Sequence, residues 1–184
     1  MFTLFLLRVW QSWQSETALC QVTSKFAMEI NIREWNHGDL LQIQQAWLDY
    51  SRNAARSDMK IKCDSETAMK QWLRLRFRQP YSVGFVADHE GIMAGFLIGR
   101  IGDWESVPPV LEPRRIGIID AVYVSEQFRR QGIGSRLIER AIQTMRAANA
   151  IAVETIYEAW NDASAEVWHR AGFAPWMVHA YRIL

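Results

Sequence analysis

The chain has 184 residues, which fits one ordinary domain with a sizeable core. Hydrophobic residues make up 49% and charged residues 22%, a soluble globular balance, and the formal net charge of +1 excludes a global field steering the protein to nucleic acid or an anionic membrane. Two cysteines, Cys20 and Cys63, exclude a disulfide framework and every common zinc spacing, and their usage suits a reducing cytoplasm.

Met1 to Leu7 is apolar, but no basic residue precedes it and it is shorter than a usual signal core. Leu19 stands before Cys20, where lipoprotein processing needs a small residue. Trp10-Gln11-Ser12 ends the run well short of the about 20 apolar residues of a membrane span. Residues 1–27 are therefore read as an extension, either upstream of a natural start at Met28 or loosely attached to a domain over 28–184. A peripheral membrane-binding helix is the alternative.

Glu29 to Trp35 alternates polar and apolar, as a half-buried strand does. His37-Gly38-Asp39 turns the chain into a helix with Leu40, Ile43, Ala46, Trp47 and Tyr50 at helical spacing. A second helix follows Ser65, its expected N-cap, and carries Met69, Trp72, Leu73 and Phe77 before Pro80 closes it. Ser82 to Ala87 and Ile92 to Arg100 read as strands joined by the hairpin turn Asp88-His89-Glu90-Gly91. A loop from Gly102 to Arg115 precedes the most apolar strand, Ile116 to Val124. Gly132 to Ala148 predicts a strong amphipathic helix, Ile151 to Tyr157 a strand, Asp162 to Ala171 a short helix, and Trp176 to Ile183 a last strand. Neither an internal repeat nor an interdomain linker interrupts this order, which predicts one mixed α/β domain.

The informative segment is Arg129-Arg130-Gln131-Gly132-Ile133-Gly134-Ser135, between the apolar strand and the strong helix. Two glycines let the backbone turn tightly and approach a ligand. A helix starting there leaves its first N–H groups without internal partners at the positive end of its dipole. With the preceding arginines this describes an anion site suited to a pyrophosphate. The bland alternative is a helix cap beside two solvated arginines. No Gly-Lys-Ser/Thr occurs, so a P-loop is excluded, and Leu137 stands where a dinucleotide fingerprint needs glycine or alanine.

Arg129 to Gly134 resembles the acetyl-CoA signature of the GNAT superfamily of N-acetyltransferases, Arg/Gln-x-x-Gly-x-Gly/Ala. Asp120-Ala121-Val122-Tyr123-Val124 precedes it as that family's fourth strand does, and Asn161 through Trp168 to Gly172-Phe173 is similar to the family's Asn-x-x-Ala…aromatic-x-x-x-Gly-Phe stretch. The resemblance covers about Ser82 to Phe173. It implies a mixed, mostly antiparallel sheet flanked by helices and splayed between strands 4 and 5. It implies that amides of Gln131, Gly132, Ile133, Gly134 and Ser135 bind a CoA pyrophosphate, with Arg129 and Arg130 near the phosphates. Val122, Tyr123 and Val124 would hold the pantetheine arm, an N–H near Val124 would polarise the thioester carbonyl, and Asn161 and Ser164 would contact the arm.

Acetyl transfer needs a neutral amine, and an alkylamine of reference pKa near 10.4 arrives mostly protonated. Asp120, which interrupts an apolar strand, is the first candidate base, with a carboxylate that binds water or a cationic substrate as the alternative. The family's usual tyrosine is replaced by Trp168, whose indole has no useful acidity. Tyr123, Tyr157, His169 or solvent remain as proton donors, and none is assigned. Trp104, Glu105, Trp160, Trp176 and His179 are candidate lining of the acceptor pocket, and aromatic faces beside a carboxylate suit an ammonium. His37 and His89 fall in turns, and no metal site is expected.

The expected function is transfer of acetyl from acetyl-CoA to a primary amine by direct attack in a ternary complex, since no cysteine stands in the motif. The acceptor is a small amine, such as a polyamine, aminoglycoside or amino acid, or a peptide or protein amine; a cytoplasmic homodimer is compatible with the family. Neither a nucleic-acid nor a membrane partner is expected. A non-catalytic acyl-CoA sensor is the rival from another class, and a nucleotide-binding protein the second.

Overall fold

The computed structural model describes residues 29–54, 59–106, 108–158, 160–180 and 182, and the extension expected over 1–27 lies outside them. The elements in chain order are β1 (Asn31–Glu34), α1 (Leu40–Ala54), α2 (Ser65–Arg78), β2 (Ser82–His89), β3 (Ile92–Trp104), β4 (Arg114–Val124), α3 (Ile133–Ala147), β5 (Ala152–Thr155) and α4 (Asp162–Arg170). One five-stranded sheet runs in the order β1-β2-β3-β4-β5. Its first three pairings are antiparallel, and β4 with β5 is parallel, because the chain between them crosses over through α3.

The two faces of the sheet are covered by different helices. Val83, Phe85, Ala87, Leu97 and Ile119 pack with Ile133, Leu137, Ile138, Ala141 and Met145 of α3 and with Trp168 of α4. On the other face Val86, Phe96 and Ile98 meet Leu40 and Ile43 of α1 and Leu73 of α2. No described helix is long and apolar enough to cross a membrane.

Local chemistry accounts for the ends of these elements. The β2–β3 hairpin is tighter than the tetrapeptide suggests, since Asp88 and His89 stay in the strand and His89 pairs with Ile92. Only Glu90 (φ 51°) and Gly91 (φ 84°) turn, both left-handed, the pattern that matches strand twist. Helix α3 ends where Asn149 takes a left-handed φ of 65° and the Ala150 N–H donates to Met145 O at 3.0 Å.

Register places one irregularity where it matters. Ile98 pairs with Ala121, but Gly99 pairs with Ile119, so Asp120 is an extra, unpaired residue in β4. The parallel pairing with β5 stops at the same point, running only from Ile116 to Ile119, and the Thr155 hydroxyl closes it by donating to Ile119 O at 3.2 Å. From Asp120 to Val124, β4 continues beside β3 alone, leaving a cleft on its β5 side.

Three expectations need correction. Ser65 is the first helical residue of α2, and Asp64 precedes it without a side-chain cap bond. The segment from Gly102 to Arg115 is mostly strand at its two ends, because β3 extends to Trp104 and β4 begins at Arg114. No strand forms among the described residues after Trp176, where Val178 is 90% exposed. There Trp176 packs near Trp104, with ring centroids 5.3 Å apart, and Arg114 lies over both rings; ring and cation contacts replace ladder bonds.

Asp39 anchors the turn from β1 into α1. Its two carboxylate oxygens each accept from Arg33 at 2.8 Å, and one also accepts the Asn36 N–H at 2.7 Å. Burial alone would raise the Asp39 carboxyl, but the Arg33 bonds, the Asn36 N–H and the Arg33 charge together bring it below its ordinary value. A carboxyl depressed in the folded state stabilises above the ordinary range and stops doing so as pH falls through it. Asp39→Asn is therefore expected to cost about 2 kcal/mol at pH 7, with the deficit shrinking below about pH 4, as read by urea unfolding at both pH values.

Candidate functional site

The cleft beside β4 presents backbone that the sheet leaves unpaired. The Ser125 N–H donates to Ala94 O at 2.9 Å, so Ser125 and, by strand alternation, Tyr123 turn their polar groups toward β3. Val122 and Val124 then turn theirs toward the open edge. The side chain of Arg129 confirms the direction, since its Nε donates to Val124 O at 3.1 Å from that edge. Tyr123 itself points to the α1/α2 face and stacks on Phe96 with centroids 5.5 Å apart.

Just beyond β4 the chain takes two left-handed steps, at Arg130 (φ 63°) and Gly132 (φ 74°), before α3 begins. Arg130 directly follows Arg129, the C-cap of a short 3-10 helix over Glu126–Phe128, so a bulky residue takes the left-handed step that leads the chain into α3. Such strain, of order 1–3 kcal/mol, collects at functional sites. Gly132 caps α3 without a side-chain bond, so the first-turn N–H groups of Ile133, Gly134 and Ser135 are unclaimed. The first helical bond runs from the Arg136 N–H to Gly132 O at 3.0 Å. Gly134 has no positive φ, and a Cβ on it would meet only Val124 Cγ2 at 3.8 Å. Neither backbone conformation nor packing demands glycine there, and the absent side chain keeps the ground between α3 and β4 free. These features fit a CoA pyrophosphate at α3 and a pantetheine arm along Val122 and Val124.

Asp120, freed from the ladder, faces the α2 side of the sheet. Arg100 Nη1 donates to its Oδ1, and Arg76 Nη2 lies 3.3 Å from its Oδ2. Arg76 also donates from Nη1 to Gln79 Oε1 at 2.8 Å and sits 5.0 Å from the Trp72 ring centroid. The Arg76 and Asp120 side chains are 12% and 16% exposed, and that of Arg100 35%. Burial lowers the Arg76 guanidinium below its ordinary value, Asp120 opposes that shift, and Arg100 adds to it. Three atoms around this cluster, Arg76 Nε, Ser82 Oγ and Asp120 Oδ2, are buried without a hydrogen-bond partner, the last holding its ion pair only.

Two further residues join the site that sequence reading passed over. Glu154 pairs with Ile118, which pairs with Arg100, so its side chain shares the Asp120 face. A carboxylate in a short strand next to half-buried Val153 was the available signal. Tyr50, toward the end of α1, lies near Asn161, Glu158 and Arg129; burial first and then the Glu158 charge raise its phenol, while hydrogen bonding to Asn161 and the Arg129 charge oppose this. Nothing in the helical spacing distinguishes Tyr50 from its neighbours.

The remaining expected residues divide. Asn161 Oδ1 accepts the Ser164 N–H at 3.0 Å and caps α4, and Ser164 Oγ accepts from Trp168 Nε1 at 3.1 Å. Trp168 is buried, stacks with Tyr157 at 6.4 Å and meets Phe173 edge-on at 5.1 Å. His169 is exposed on α4, and Trp160 and His179 are also exposed. Trp104 and Trp176 gather around Arg114, six residues along β4 from Asp120, and are not brought to it. Between α1 and α2 lies a groove of about 510 Å³ lined by Trp47, Leu48, Ile61, Met69 and Trp72 with Lys60 and Lys62.

Residues 40–173 match the model of the acetyltransferase (GNAT) family. Two proteins, from Pseudomonas paraeruginosa and Pseudomonas aeruginosa, each described as an L-methionine sulfoximine/L-methionine sulfone acetyltransferase, are 29% identical over 102 residues. That match spans 55% of this chain and 56% of theirs, so the chain covers little more than half the length of these relatives. Among solved structures, an aminoglycoside N-acetyltransferase in complex with CoA superposes with a TM-score of 0.66 at 17% identity, covering 84% of this chain and 95% of that one. An aminoglycoside acetyltransferase from an uncultured soil metagenomic sample, in complex with sisomicin, gives 0.60 at 19% identity over 84% and 96%. A transcriptional regulator from Bacillus halodurans gives 0.67 at 17% identity over 85% and 100%. At these identities the structures establish a shared fold.

Gly134→Ala separates ligand from fold. It is expected to leave the melting temperature unchanged or raise it, since alanine favours a helix by up to about 1 kcal/mol. CoA affinity, read by calorimetry, should fall about tenfold or more if the vacant ground belongs to the ligand.

Proposed function

Because this chain belongs to the acetyltransferase (GNAT) family, we propose that it transfers an acetyl group from acetyl-CoA to the primary amine of a small molecule, by direct attack in a ternary complex. The observation that carries this reading is the coincidence at Asp120: the bulge, the end of the β5 pairing and the start of unpaired backbone fall at one residue. The sulfoximine/sulfone and aminoglycoside acetyltransferases resembled by the chain support a small-molecule acceptor over a protein one. No cysteine stands between Asp120 and Ser135, which supports direct attack over an acyl-enzyme.

Acetyl-CoA supplies a thioester, an acyl group already activated toward amines. The amides of Gln131 to Ser135, with Arg129 and Arg130, would bind its pyrophosphate. The edge groups of Val122 and Val124 would hold the pantetheine, and an N–H there would stabilise charge developing on the carbonyl oxygen. Asn161 and Ser164 would contact the arm from α4; each already makes a structural bond, Asn161 to the Ser164 N–H and Ser164 to Trp168. Tyr123, which the family resemblance placed on the pantetheine, has its backbone turned to β3 and its ring engaged by Phe96, so the arm is left to Val122 and Val124.

Removal of the ammonium proton is assigned to Asp120, oriented by Arg76 and Arg100, with Glu154 as the second carboxylate on the same face. Trp168 cannot protonate the leaving thiolate: its N–H is spent on Ser164. Thiols of reference pKa near 8.5 leave tolerably without a donor, so solvent suffices.

CoA release from acetyl-CoA across a panel of amines tests the reading with the full chain. Turnover with one amine class is expected, and Asp120→Asn should lower kcat about 10²-fold. If Asp120→Asn keeps kcat while Glu154→Gln loses it, the base is Glu154. Acetyl-CoA bound tightly with no turnover of any amine would favour a sensor, the reading that the missing tyrosine supports.

A further inference from the structure

We infer that the acceptor amine carries an anionic group, with the α-amino acids as its simplest class, and that Arg100 with Arg76 receives the carboxylate. The inference rests on the acetyltransferase reading and narrows its acceptor.

Charge around Asp120 is out of balance. Two guanidinium groups converge on its single carboxylate. Each guanidinium has five N–H donors and no acceptor. Within the described residues Arg76 spends Nη1 on Gln79 and Nη2 on Asp120, and its Nε is buried without a partner. Arg100 spends Nη1 on Asp120 and stays 35% exposed, so a ligand can reach the rest of its fork. Like charges brought together in a partly desolvated place repel; Asp120 compensates one of them, and Glu154, beyond Ile118 on the same face, is in ion-pair contact with neither. A second carboxylate, binding to the exposed edge of Arg100, would complete the neutralisation in the bidentate geometry that arginine favours.

Position then ties the anion to the reaction. The cluster sits at the residue where β4 and β5 part, so a carboxylate held there lies beside the end of the cleft where an acyl group would be presented. Glu154, on the same face and across Ile118 from Arg100, has no ion pair among the described residues and offers the opposite sign to an ammonium. Carboxylate on the exposed edge of Arg100 and ammonium toward Asp120 and Glu154 is the arrangement of a zwitterion. The α1–α2 groove that Trp72 shares with this cluster contributes Lys60 and Lys62 and no carboxylate from its described lining, which opposes a polycationic acceptor.

The test compares matched amines with the full chain and saturating acetyl-CoA: L-amino acids, their methyl esters, the corresponding decarboxylated amines, and kanamycin and spermidine as polycations. Free amino acids should be acetylated with kcat/KM about 10²-fold above their esters and decarboxylated amines. Arg100→Gln should shrink that ratio to within a few-fold by raising KM for the free acid, and Arg100→Lys should restore part of it. Circular dichroism melts confirm that both variants fold. Preference for an ester, a decarboxylated amine or a polycation would overturn the inference, as would an Arg100→Gln variant that still discriminates. Bound acetyl-CoA with no amine consumed would instead remove the transferase reading on which the inference rests.

Discussion

A single surplus residue governs this molecule. Asp120 has no counterpart on β3, and a strand with one residue too many must bend and re-aim the residues beyond the bend. The β5 pairing cannot accompany that bend and ends at Ile119. The backbone of Val122 and Val124 is thereby released on its β5 side, and the carboxylate of the surplus residue is turned toward Arg76 and Arg100. The cleft and the charge that flanks it have one geometric origin.

The rest of the fold holds that irregularity still. Antiparallel pairing on the β3 side continues on both flanks of Asp120. Below the sheet, α3 fills the core with Ile133, Leu137, Ala141 and Met145, and the same packing pins its N-terminus beside the cleft. Above it, α2 is held by Leu73 in the core and delivers Arg76 to Asp120. The helix that stabilises one face thus begins beside the cleft with its first N–H groups unclaimed, and the helix that stabilises the other supplies a guanidinium.

Local chemistry was legible in the sequence, and pairing was not. Gly132, Gly134 and the arginines before them announce their turn, because φ and missing side chains are properties of single residues. The amphipathic runs of α1, α2 and α3 could be read for the same reason. The bulge depends on register between β3 and β4, and no residue within β4 records it. Arg76 reads as an ordinary helical arginine, and Arg100 as the end of a strand, until the fold brings them to one carboxylate. The stretch expected as a last strand from Trp176 forms none among its described residues, since an extended run needs an edge to pair with, and Trp104 and Arg114 claim its tryptophan instead.

The guanidinium of Arg129 lies against Val124 O, at the rim of the opened edge. An aliphatic strand with free amides and carbonyls is a template for any other extended chain, including a second copy in a crowded cell. Arg129 puts a charge and a donor across that template, as gatekeeper residues do beside strands that cannot be covered. A strand left open on one side has to be kept from being zipped by a like strand, and one side chain at the rim stands in the way.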